Sequence, residues 1–286
     1  MTEAVVKGGW RWRIGRFAAL AAAVALGGCA GLTSAEKDEA PAPAQSNLAS
    51  LTEVIQKHPD DPQAYNVRGS VFAETGQPEQ ALADFNKAIS LDPNYAQAYA
   101  NRALLYRQNG KLELALADDN KAVAIDGNYA AAYLGRGIVE RLQGHSAQAL
   151  NDFNRAIQLR ADDAQAYFNR GLLYQSQHQH QFAIDDFTTA LGLTTQKAAV
   201  FVARALSYLA VGDAKSAASD LDEAVTLQPQ NVQAWTSRGL AYERLGQKEK
   251  AAGSYAKALN INDKYEPART GFARVGGKAG QSYETF

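Results

Sequence analysis

Aromatic residues recur along this chain at a fixed interval. Tyr65, Tyr99, Tyr133, Tyr167, Phe201 and Trp235 follow one another every 34 residues. If each is position 4 of a unit whose first copy begins at residue 62, position 8 is always small: Gly69, Ala103, Gly137, Gly171, Ala205 and Gly239. Position 20 is always alanine (Ala81, Ala115, Ala149, Ala183, Ala217, Ala251), and so is position 27 (Ala88, Ala122, Ala156, Ala190, Ala224, Ala258). Apolar residues at 4, 8 and 11, and again at 20, 24 and 27, carry the helical period, so each unit predicts two amphipathic helices. Between them stand Gly76, Gly110, Gly144, Gly212 and Gly246, with His178 in the fourth unit. Glycine there suits a helix end that needs positive φ. Pro93 and Pro229 close their units. In an antiparallel helical hairpin, positions summing to about 31 lie level. Position 4 then meets 27 and position 11 meets 20, a large side chain against a methyl, and the helices can approach closely.

This pattern resembles the tetratricopeptide-repeat (TPR) family, and it holds in register through residues 62–265 without insertion or deletion. The resemblance implies an all-α fold: an α-solenoid, a right-handed superhelix of six helix-turn-helix repeats with end caps and a concave groove. A single hairpin cannot bury its apolar face alone, so such a stack needs its ends covered. Residues 46–61, with Leu48, Leu51, Val54, Ile55 and Pro59, read as a capping half-repeat. Residues 266–276 read as a C-terminal capping helix, and 277–286 as a disordered tail.

The chain is 46% hydrophobic and 21% charged, which is ordinary for a protein that builds a core. Its charge is unevenly placed. Lys7, Arg11, Arg13 and Arg16 against Glu3 make residues 1–28 +3, so within a total of −1 the rest carries −4. A mildly acidic body argues against nucleic acid as a partner. The apolar run from Phe17 to Leu26 is ten residues long, short of the ~20 needed to span a bilayer. It fits the core of a secretory signal. It ends in Leu26-Gly27-Gly28-Cys29, around the only cysteine of the chain, and resembles a bacterial lipobox. That resemblance implies acylation of Cys29 after removal of residues 1–28. With Ala30 next, similarity to enterobacterial lipoproteins implies the outer membrane. Residues 29–45, rich in Ala, Pro and charge, read as a flexible tether.

Two charges also recur. Position 7 is arginine in all six units (Arg68, Arg102, Arg136, Arg170, Arg204, Arg238), where leucine is common in the TPR family. Position 23 is aspartate in five (Asp84, Asp118, Asp152, Asp186, Asp220), with Ser254 in the sixth. These positions lie level across a hairpin, so an Arg–Asp ladder is expected; the functional alternative is an arginine row that grips an anion. Asp119 and Glu140 replace expected aromatics at positions 24 and 11. They are expected to join Arg136 in a polar network, with a catalytic carboxylate pair as the alternative. His178-Gln179-His180 lacks a third ligand, so no metal site is expected. No phosphate-binding glycine loop, nucleophile elbow or His-Glu-x-x-His motif is present. No enzyme activity and no cofactor are expected.

In TPR proteins a stripe beside the packed face of the first helix lines the groove. Here that stripe reads Ala100, Leu104, Arg107; Leu134, Ile138, Arg141; Phe168, Leu172, Gln175; Val202, Leu206, Leu209. It is apolar in the middle, and Asn66, Ser70 and Thr236 make its ends polar. A contiguous apolar surface with a polar rim marks an interaction site, so the expected partners are proteins or peptides. The alternative is that its leucines mainly pack against neighbouring hairpins. The lipobox and repeats together are similar to NlpI-type lipoproteins. That resemblance implies a periplasmic scaffold of cell-envelope biogenesis that gathers peptidoglycan enzymes and delivers substrates to a protease, often as a homodimer, touching the membrane only through its lipid. TPR pilotins, which help secretion or pilus complexes assemble, are the alternative.

Overall fold

The computed structural model describes residues 42–195, 197–278 and 283. The expected signal peptide, Cys29, residues 30–41 of the tether and most of the expected tail lie outside them. Helix α1 (Ala42–Lys57) begins four residues before the expected cap. Six hairpins follow: α2 (Pro62–Glu74) with α3 (Pro78–Leu91), α4 (Ala96–Gln108) with α5 (Leu112–Ile125), and α6 (Ala130–Leu142) with α7 (Ser146–Leu159). The others are α8 (Ala164–Ser176) with α9 (His180–Leu193), α10 (Ala198–Ala210) with α11 (Ala214–Leu227), and α12 (Val232–Arg244) with α13 (Lys248–Ile261). Helix α14 (Glu266–Arg274) closes the stack. No strand occurs among the described residues, and no helix there is long and apolar enough to cross a membrane. The architecture is an α-solenoid.

Local chemistry explains the boundaries. Asp61, Asp163, Asp213 and Asn231 cap α2, α8, α11 and α12, each accepting a hydrogen bond from a first-turn backbone N–H. Within five hairpins the turn glycine takes positive φ, from 71° at Gly110 to 86° at Gly212. His178 takes φ 59° in the same place, the only non-glycine among the described residues to do so. Its neighbours in the turn bond as in the other hairpins: the Gln179 N–H reaches Tyr174 O at 2.9 Å, as Lys111 reaches Tyr106. The turn geometry is therefore set by the hairpin, and histidine is forced into it.

The alanines at positions 20 and 27 are buried without exception. Ala122 packs with Tyr99, and Ala81 packs with Phe72, as the level-pairing argument requires. Each second helix packs on the next first helix, and adjacent first helices also touch, whereas no two second helices meet. The first helices therefore gather on the inner side of the stack and the second helices spread on the outer side. At the N-terminal end Ile55 is buried but Val54 is 40% exposed, so Val54 does not close the core as expected.

Candidate binding groove

The recurrent charges form a ladder with three kinds of rung. Within a hairpin, the Arg68, Arg102, Arg136, Arg170 and Arg204 guanidiniums each grip Asp84, Asp118, Asp152, Asp186 and Asp220 through two hydrogen bonds of 2.7–2.8 Å. These bonds hold the five arginines above their ordinary pKa. Across hairpins, the third arm reaches position 25 of the preceding unit: Arg102 donates to Asn86 at 2.6 Å, Arg170 to Asn154 at 2.7 Å and Arg204 to Thr188 at 2.9 Å. Arg68 finds Thr52 of α1 in the same way. The guanidiniums also lie 4.8–6.0 Å from ring centroids at positions 4 and 11, as with Arg102 over Tyr99 and Tyr106. The row is structural, so the anion-gripping alternative falls. Only the within-hairpin rungs were expected from the sequence. The signal for the others was the polar run at position 25: Asn86, Asn120, Asn154, Thr188, Asp222.

The sixth hairpin inverts the arrangement. Ser254 cannot pair as an acid, and Arg238 instead binds Asp222 of the preceding hairpin at 2.6 Å while donating to Ser254 Oγ at 2.8 Å. Tyr242 also donates to Asp222, at 2.8 Å. The carboxylate has moved from position 23 to position 25, and the ladder keeps its charge.

The expected network of Asp119, Arg136 and Glu140 does not form. Arg136 is held by Asp152 and by Asn120 at 3.0 Å. Glu140 turns to His145, with Nδ1 2.6 Å from Oε2. Asp119 is 2% exposed and its Oδ2 makes no hydrogen bond. Burial pushes its carboxyl up to about 8, offset in part by Arg107. The two carboxylates therefore face different surroundings. His178 and His180 have ring centroids 5.9 Å apart, and burial together with His178 lowers the His180 pKa. No three His, Cys, Asp or Glu residues gather as metal ligands among the described residues.

The expected groove residues divide into three groups. Leu104 is 43% exposed. Leu134, Ile138, Phe168, Leu172 and Leu206 are half-buried, with one side packed against the core. Val202 and Leu209 are buried in the cluster that holds Leu221, Trp235 and Tyr242; they are packing residues rather than groove surface, because hairpins 5 and 6 close over them. Position 12 has a role that its sequence pattern did not show: it stitches adjacent first helices. Arg107 donates to Gly135 O at 3.3 Å, Arg141 to Asn169 at 3.4 Å, and Gln175 to Ala203 O at 2.9 Å and Ser207 at 2.8 Å. Toward the N-terminal end the inner face becomes polar: Asn101 donates to Asn66 at 2.9 Å and to Ser70 at 3.3 Å. The result is an inner face with an apolar centre, built on first helices that are tied to one another.

Family models of the TPR repeat match residues 69–110 and 139–177, and others of the tetratricopeptide repeat match 96–129 and 202–267. No curated protein matches the sequence. Among solved structures, the APC/C hetero-tetramer Cut9–Hcn1 superposes with a TM-score of 0.72 at 18% identity, over 81% of this chain and 46% of that one. This chain thus spans less than half of that protein's length. YrrB, a TPR protein with an unusual peptide-binding site, gives 0.56 at 24% identity, over 65% of this chain and 96% of YrrB. PilW, a type IV pilus biogenesis factor, gives 0.66 at 17% identity, over 73% and 97% respectively. At these identities the likeness is one of fold.

Proposed function

This chain belongs to the tetratricopeptide-repeat family, whose members are protein-interaction scaffolds, and from that premise we propose that it is a lipid-anchored periplasmic adaptor. In this reading its inner face holds a peptide segment or a partner protein. The observation that carries the proposal is the apolar centre of that face, where Leu104, Leu134, Ile138, Phe168, Leu172 and Leu206 follow one another across four hairpins. Such a surface gains from being covered, at roughly 25 cal/mol per Å² of apolar area, and the tied first helices present it already ordered. The Phe17–Leu26 run and Cys29 support the anchor and the cell-envelope location.

The test pairs two variants. A Leu104→Glu, Phe168→Ala chain, checked for unchanged helicity, is compared with the wild type by affinity capture from crosslinked envelopes. Loss of cell-wall enzymes or a protease from the capture supports the groove; unchanged capture sinks it. A Cys29→Ser chain should leave the membrane fraction and take up no labelled fatty acid, and its retention there would remove the anchor. A second reading, an assembly factor for a pilus or secretion complex, draws on the likeness to PilW. Capture of secretin or pilus subunits would favour it.

A further inference from the structure

We propose that the junction between hairpins 2 and 3 is a pH-responsive joint, closed while Asp119 carries its proton and loosened when that carboxyl ionises against Gly135. Position 24 is the centre of each hairpin and holds Phe85, Phe153, Phe187, Leu221 or Tyr255 in the other five. All of these are buried. Asp119 occupies the same place in hairpin 2, and its carboxylate lies directly on the backbone of α6. A Cβ built on Gly135 would meet Asp119 Oδ1 at 2.7 Å and Oδ2 at 2.9 Å. Glycine at 135 makes room for the carboxyl but offers it no side-chain donor, and Oδ2 is buried without a hydrogen-bond partner in the protein.

The charged groups facing this spot come from all four helices. Arg107 on α4 and Arg136 on α6 favour the anion, whereas Asp118 on α5 and Asp152 on α7 oppose it. Asp118 and Asp152 are already the ladder partners of Arg102 and Arg136. Their two arginines are therefore occupied, and Arg107 reaches over the site to the Gly135 carbonyl. Desolvation outweighs these attractions, and the carboxyl stays protonated up to about pH 8, far above its ordinary 3.8. The sign follows: the folded junction holds the proton more tightly than the open one. Closure is therefore fully stable below the ordinary value and weakens as pH rises toward the folded value. An ionised Asp119 can reach water only if α5 and α6 separate. Arg107 bonds the Gly135 carbonyl at that seam, and Leu134 precedes Gly135 in the chain, so the joint adjoins the apolar centre of the inner face.

The experiment is amide hydrogen exchange on the full chain between about pH 5 and pH 8, corrected for intrinsic exchange rates. Wild type is compared with Asp119→Asn, which keeps the shape, and Asp119→Leu, which copies the Leu221–Ala205 pairing of hairpin 5. In the wild type the opening constant of α5 and α6 amides should rise by up to about tenfold per pH unit, while α12 and α13 stay level. Both variants should be flat, and if the asparagine chain folds poorly the leucine chain carries the comparison. Equal slopes in wild type and variants would overturn the proposal, and so would a wild-type slope shared evenly by all hairpins.

Discussion

Phe187 lies against Gly171 with no room for a methyl between them: a Cβ on Gly171 would sit 2.7 Å from Phe187 Cε1. The same closeness joins Gly69 to Phe85, Gly137 to Phe153 and Gly239 to Tyr255, at 2.6–2.8 Å. In the two hairpins whose position 24 is not aromatic, Asp119 and Leu221, position 8 is alanine instead: Ala103 and Ala205. A ring at 24 thus requires glycine at 8, and a smaller residue at 24 goes with the extra carbon at 8.

From this complementarity, Gly171→Ala alone should destabilise the chain by about 1–3 kcal/mol through overpacking. Adding Phe187→Leu, which recreates the hairpin 5 pair, should recover much of that loss. A double-mutant cycle from urea melts measures the coupling, and additive effects would count against direct contact as the cause.

The ladder makes a second prediction, about where a carboxylate is needed. Asp222→Asn takes the acid from Arg238, whose side chain is only 3% exposed although Asp222 is 43% exposed, and should cost about 1–3 kcal/mol. Placing Ser254→Asp in the same chain restores the arrangement of hairpins 2 to 4 and should return most of the stability. If the double variant melts with the single one, positions 23 and 25 are not interchangeable.

His178 holds a left-handed turn that five glycines hold elsewhere. Replacing it with glycine removes a steric penalty and should stabilise the chain by about 1 kcal/mol despite the added freedom of the unfolded state. The check is the urea midpoint, which should rise. A fall would mean that the edge-on His180 ring contributes more than the turn costs.

The C-terminal cap is tied down by charge. Glu243 accepts hydrogen bonds from Arg274 Nη2 at 2.7 Å and from Tyr255 at 2.8 Å. The Arg274 bond, ahead of the opposing burial, draws the Glu243 carboxyl below its ordinary 4.5. A depressed carboxyl stabilises above its unfolded value and loses that contribution as pH falls through the folded one. Acidification below pH 4.5 should therefore release α14 before the inner hairpins in the wild type, read by hydrogen exchange. In Glu243→Gln the protection of α14 should be lower at neutral pH and less sensitive to acid.

The repeat, its two helices and the level pairing of positions 4 with 27 and 7 with 23 were legible in the sequence alone. They depend on spacing within one hairpin, and spacing is what 34 residues repeated in register display. Arg68 and Asp84 lie sixteen residues apart on helices joined by a short turn, so helical geometry decides that they meet. Tertiary structure decided everything that depends on the angle between hairpins. Whether Arg102 could reach back to Asn86, whether Arg107 would cross to Gly135, and whether Val202 and Leu209 would face the groove or vanish beneath hairpin 6 all turn on how far one unit rotates from the last. Asp119 shows the limit most plainly. Sequence placed it near Arg136, but packing gave that arginine two hydrogen bonds to Asp152 and left Asp119 Oδ2 buried without one.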